Sequence, residues 1–187
     1  MEIKPRIRFA KDMEEVLLSK DYDPNEELYY MFRGIDTKEG IRYDITEIPP
    51  KTIGEEFVKT KGHYHDDFQE VYIVLEGEAI FLMQKGRDEI EDVYFVYARK
   101  NDVVLIPFGY GHITINPSTA DLKLGNFVSS DCGHDYESIQ IKNGAAYFYT
   151  KNGWIKNNKY SKVPEIREEK PLSELPNNIE KICTKKN

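Results

Sequence analysis

Along most of the chain, apolar and polar residues alternate in short runs: LYYMFRGI, RYDITEI, EVYIVLEG, DVYFVYAR, DVVLIP, HITIN, LKLGNFV and AAYFY. A period of two sends successive side chains to opposite faces of a strand, and β-branched and aromatic residues suit a pleated, half-buried surface. Between the runs stand LEGE, QKGRDE, RKND, NPST, IKNG and TKNG. Their Gly and Asn residues accept the positive φ that tight turns need. Many short strands without long helices predict an all-β sandwich or barrel. Helical signal is confined to DMEEVLLS at 12–19, where Asp12 and Glu15 have capping-box spacing, and to PLSELPNNIEKI near the end. From about Asn157 three prolines and mixed charge replace the strand rhythm. The expected organisation is one domain over 1–187: an N-terminal extension to about 41, a barrel over about 42–156, and a C-terminal tail over 157–187 that packs outside or frays.

Composition narrows the function classes. The 187 residues are 40% hydrophobic and 32% charged, as in an ordinary globular protein. The formal net charge of -7 argues against a nucleic-acid or anionic-membrane surface, so an anionic ligand must be held by local donors. The opening MEIKPRIRFAKD has no apolar core of a signal peptide, and the longest apolar run, AIFLM, is far short of a membrane span. A cytoplasmic protein is expected. Cys132 and Cys183 stand far apart and outside any CxxC pair, which predicts free thiols.

The candidate chemistry lies in TKGHYHDDFQEVY, residues 60–72. In an extended segment His63 and His65 point together, and Glu70, Tyr72 and Val74 share a face opposite Val71, Ile73 and Leu75. A second stretch, PFGYGHITIN at 107–116, places His112, Thr114 and Asn116 on one face. A lone histidine would be read as a surface or hydrogen-bonded core residue. Three neutral imidazoles and a carboxylate gathered at a barrel mouth would instead hold a divalent first-row metal with positions left for substrate.

The joint spacing HxHxxxxE, then Gly77, then PxGxxHxxxN resembles the two cupin motifs. It implies a jelly-roll type antiparallel β-barrel in which His63, His65, Glu70 and His112 are the metal ligands. Phe57 and Asn101 stand where the motifs usually carry glycine, and Asn101 can still take a left-handed turn. EFVKTKGHYH, EVY, YDIT at 43–46 and GHDY at 133–136 extend the likeness to the archaeal cupin-type glucose-6-phosphate isomerases over about residues 42–138. That resemblance implies interconversion of glucose 6-phosphate and fructose 6-phosphate. Thr46, Thr60 and Gly62 would hold the phosphate; Tyr72, His134 and Tyr136 would line the sugar; Glu70 would be both ligand and the carboxylate nearest C1 and C2, with His134 and Tyr136 beside it in catalysis. It further implies one divalent metal per chain, iron(II) first with zinc, manganese, nickel and cobalt as alternatives, and a homodimer. The loop DDFQ is two residues shorter than is common in that family.

Moving hydrogen between C1 and C2 builds negative charge on the adjacent oxygens, which a cation stabilises, and a carboxylate can carry the proton. Competing readings are another metal cupin, such as a mannose-6-phosphate isomerase or an iron dioxygenase, and a non-catalytic sugar-binding cupin. A regulator of the last kind usually has a DNA-binding partner domain, and no helix-turn-helix pattern or basic patch is visible.

Overall fold

The computed structural model describes residues 3–186. Its strands, in chain order, are β1 (Arg6–Phe9), β2 (Glu27–Lys38), β3 (Ile41–Ile48), β4 (Thr52–Ile53), β5 (Glu56–Phe57), β6 (His63–Tyr64), β7 (Glu70–Glu76), β8 (Glu78–Lys85), β9 (Asp92–Arg99), β10 (Val103–Ile106), β11 (Tyr110–Ile115), β12 (Leu122–Ser129), β13 (Tyr147–Thr150), β14 (Gly153–Lys156) and β15 (Arg167–Glu169). A six-stranded sheet in the order β1-β2-β3-β12-β7-β10 faces a five-stranded sheet in the order β15-β9-β8-β11-β6. A small sheet, β14-β13-β5-β4, lies against the second. This is the all-β, antiparallel barrel that the strand rhythm predicts, and it fits the cupin type that the motif resemblance implies; among the described strands only β15, beside β9, runs parallel to its neighbour.

The core between the two large sheets gathers Met31, Val74, Phe81, Val96, Ile106 and Leu124, all buried. Burial of each such side chain contributes about 1.5–3 kcal/mol before entropy is counted. The run AIFLM is buried along its whole length because β8 is covered on both faces. Phe81 and Met83 join the main core, while Leu82 packs with Ile113, Ala146 and Tyr147 beneath the small sheet.

The start of the chain differs from the expected extension. β2 pairs with β3 and buries Leu28, Tyr29 and Met31, so the six-stranded sheet begins well before residue 42. Without β2, β3 would present an unpaired edge of N–H and C=O groups. The first helical signal is a 3-10 helix at Ala10–Val16, not a helix capped by Asp12. Asp12 instead accepts the Phe9 N–H at 3.0 Å, and Glu15 faces Lys61 at 3.2 Å. The two other helices are single turns, α1 (Glu137–Gln140) and α2 (Ile179–Ile182). Among the described residues no helix is long and apolar enough to cross a membrane.

Asn101 has the left-handed backbone anticipated for it, with φ of 76°. Both cysteines are buried free thiols.

Candidate metal centre

Strand pairing brings the ligands together. β6 runs antiparallel to β11, with His63 directly opposite His112. Tyr64 turns to the other face, where its ring lies against Gly111; a Cβ there would stand 2.7 Å from the ring. His65 therefore returns to the side of His63, and Glu70 opens β7 across the loop. Gly62, at φ of 82°, makes the turn into β6, and its backbone conformation is one that an L side chain rarely adopts.

The donor atoms converge. His63 Nε2 lies 2.7 Å from His65 Nε2, which lies 3.1 Å from Glu70 Oε2; that oxygen is 3.4 Å from His112 Nε2. All four ligand atoms fall within 4.8 Å of one another. Metal bonds of about 2.0–2.2 Å separate neighbouring octahedral donors by about 3 Å and opposite ones by about 4 Å, so the set matches one ion. Two further observations support that fit. The other ring nitrogen of His65 is anchored at 2.8 Å to both Gly133 O and Cys132 Sγ, which orients the ring as outer partners of metal ligands do. Asn126 Nδ2 donates to Glu70 Oε1 at 2.5 Å, leaving Oε2 for the cluster.

The electrostatics suit neutral nitrogen donors at His63 and His112. Burial pushes His63 well below its ordinary range, helped by the positive field of His112 and His65. Burial likewise takes His112 down to about 3 and His134 down to about 4. His65 runs the other way, to about 10, because its bonds to Cys132 and Glu70 outweigh the burial that opposes its charge. Glu70 is held down at about 2, its own burial outweighed by its hydrogen bond to His65 and the charges of His65 and His112.

GHDY docks on β6 through a single β-bridge. Tyr64 and Asp135 exchange backbone hydrogen bonds of 3.0 and 3.1 Å, so His134 and Tyr136 sit on the histidine side. The His134 ring centroid is 4.7 Å from that of His63, and Tyr136 stacks on His134 with 9° between their planes. Tyr72 O–H reaches His112 Nε2 at 3.3 Å. One cavity is walled by Thr46, Thr60, Gly62, Tyr72 and Tyr136 together with the ligands His63 and His112. Every site residue named from the sequence thus lies in or beside the same place, although Thr60 Oγ1 also accepts the Thr114 N–H at 3.0 Å.

The cavity wall also holds residues the sequence reading passed over. Arg33 follows Tyr29 and Met31 at a period of two on β2, and all three line the cavity. Its guanidinium shares the fully buried Asp44 carboxylate with Arg42, at 2.8 and 2.9 Å, which leaves one positive charge uncompensated. Lys61 is there too, its N–H donating to Tyr29 Oη at 3.1 Å. The period of two was the available signal for Arg33. For Asn126 it was an amide on the otherwise apolar face that carries Leu122, Leu124 and Val128.

The chain has relatives among known proteins. A family model described as glucose-6-phosphate isomerase (GPI) matches residues 3–165. The glucose-6-phosphate isomerase of Thermococcus litoralis is 32% identical over 123 residues, covering 64% of this chain and 63% of that protein. The enzyme of the same name from Pyrococcus horikoshii is 32% identical over 124 residues, covering 65% and 64%. The matched part of the chain thus spans less than two thirds of those relatives' own length. Among solved structures, an oxalate oxidase aligns with a TM-score of 0.47 at 18% identity, over 58% of this chain and 55% of that one.

Proposed function

The chain belongs to the glucose-6-phosphate isomerase family, and from that premise we propose that it interconverts glucose 6-phosphate and fructose 6-phosphate at one divalent metal ion. The observation that carries the reading is the convergence of three imidazole nitrogens and Glu70 Oε2 beside a cavity lined with hydroxyl and cationic groups. His63, His65, Glu70 and His112 would hold the ion, with iron(II) first and zinc, manganese, nickel or cobalt also compatible with the donors. Bound there, it supplies Lewis-acid polarisation of the sugar carbonyl.

The chain's own groups do the rest. Thr46, Thr60 and the backbone at Gly62 offer neutral donors to the phosphate, and Arg33 adds a full positive charge from the same wall. His134 and Tyr136, their rings nearly parallel, form the surface along which the sugar chain lies. Tyr72, whose phenol burial and the Glu70 charge keep protonated, offers an O–H to a sugar oxygen. Glu70 takes the proton from C2 of the aldose and returns it to C1, its rotamer held by Asn126. A direct shift of hydrogen from C2 to C1 would use the same pocket and leave Glu70 as a ligand only. Two copies pairing as a homodimer complete the reading, and sedimentation measures that directly.

The test is a coupled assay of fructose 6-phosphate conversion before and after chelation, with mannose 6-phosphate in parallel. Activity indifferent to chelation would exclude the metal mechanism. Turnover of mannose 6-phosphate alone would move the substrate.

A further inference from the structure

The family match ends at residue 165, yet the chain continues through a segment that returns to the metal centre. β15 runs along β9, and Arg167 bridges Asp92. Leu172 then crosses to the other sheet and exchanges backbone hydrogen bonds of 3.0 and 2.8 Å with Val103 on β10. Past it, α2 lies on the outer face of the six-stranded sheet. There Cys183, fully buried, packs with Val71 and Val103, flanked by Phe127 and Ile182. The last described residues reach the loop 66–69: Lys186 N–H donates to Asp67 O at 2.8 Å, and Lys185 forms a bridge with Phe68.

Those contacts fall behind the metal ligands. Loop 66–69 is the connection between His65 and Glu70. Val71 is the chain neighbour of Glu70 and faces away from it into the tail. Phe127 is the neighbour of Asn126, which orients Glu70, and its carbonyl lies 3.3 Å from Cys183 Sγ. From the barrel side the loop is held by Arg87, which pairs with Asp66 at 2.8 Å. From these placements we infer that residues 167–186 are a positioning strap: they fix the loop and the backs of Val71 and Phe127, so that His65 and Glu70 are presented at metal-binding distance before the ion arrives. The inference rests on the metal reading for its function, and on the tail contacts for its structure.

Two full-length variants test it. Cys183→Asp puts a carboxylate into the apolar cluster and should release the tail. Lys186→Pro removes the N–H that reaches Asp67 and restricts the backbone at Lys185 and Lys186, at an exposed end where folding is not at stake; Cys183→Ala and Lys186→Ala are their conservative counterparts. The readouts are backbone hydrogen exchange over residues 66–73, Mn²⁺ affinity by calorimetry and the Mn²⁺ electron paramagnetic resonance spectrum. Faster exchange, a broadened spectrum and Mn²⁺ affinity lowered by about 10-fold or more are expected for Cys183→Asp, in the range seen when outer partners of metal ligands are lost. Lys186→Pro should show the same direction with a smaller size, and both alanine variants should match the parent. A loop that exchanges faster while Mn²⁺ affinity stays within twofold of the parent overturns the strap, as does unchanged loop exchange in both variants. If Cys183→Asp does not fold, Lys186→Pro decides. A parent chain that takes up no Mn²⁺ sinks the metal reading instead, and the structural strap is then judged on exchange alone.

Discussion

Asn126 Nδ2 stands 2.5 Å from Glu70 Oε1, a buried amide clamped on the one buried carboxylate of the histidine cluster. The bond uses the carboxylate oxygen that does not face the imidazoles, so it selects which oxygen is free to coordinate. Asn126→Ala should therefore leave the fold intact and weaken cation binding by about 10- to 100-fold, as loss of an outer partner does. Asn126→Asp should be worse, since it sets a second carboxylate against Glu70. Titration calorimetry with Mn²⁺ or Zn²⁺ measures both; affinities equal to the parent's would remove Asn126 from the site.

The ligand set itself predicts one ion per chain. His63→Ala and His112→Ala each remove one of four converging donors. Elemental analysis after reconstitution and dialysis should then find far less than one equivalent. A folded variant that keeps a full, tightly bound equivalent would show that the ion sits elsewhere.

Coordination needs the lone pair of His65 Nε2, and His65 is the one ligand imidazole with a raised pKa, about 10. Near pH 7, uptake of a cation should release about one proton, taken from His65. Affinity should rise with pH through neutrality and fall in acid. Calorimetry in two buffers of different ionisation enthalpy counts that proton, and a count near zero would contradict the His65–Glu70 charge pair. The same pair stabilises the ion-free fold most between the ordinary carboxylate and imidazole values. The share of Glu70 is lost as pH falls through about 2, and that of His65 as pH rises through about 10.

Arg33 is the cation most directly set into the cavity wall, and Asp44 keeps a second guanidinium when Arg33 is replaced. Arg33→Met should raise KM for fructose 6-phosphate by about 10- to 100-fold with a much smaller change in kcat, in line with a charged hydrogen bond of about 1.5–3 kcal/mol. Inhibition by inorganic phosphate should weaken in parallel. Thr60→Val should move KM in the same direction without changing metal content. If KM is unchanged in both variants, the phosphate lies away from this wall.

Glu70→Gln separates the two duties of that residue. An amide oxygen can still coordinate, so a metal-replete variant tests proton transfer by itself, and a loss of about 10²- to 10⁴-fold is expected if the carboxylate is the base. Run in D₂O, the parent should place deuterium at C2 of glucose 6-phosphate. No incorporation, together with substantial activity in the metal-replete variant, would leave Glu70 as a ligand in a direct hydrogen shift.

Local periodicity was enough to read most of the barrel strands and the turns between them, while the candidate ligands were legible only through the spacing that resembles the cupin motifs. Strands and turns depend on which face a side chain takes and on which residues tolerate positive φ, and both are settled within a few positions, as at His63, His65 and Asn101. Placement across the barrel was not readable in that way. Arg33 and Asn126 reach the site only because β2 and β12 flank β3 in one sheet, and that order depends on which edges close against which. The same limit hid the tail's position. Val71, Ile73 and Phe127 alternate outward in the same pattern whether water or another segment covers them, so α2 and Cys183 found their place only through the burial of that outer face in the folded chain.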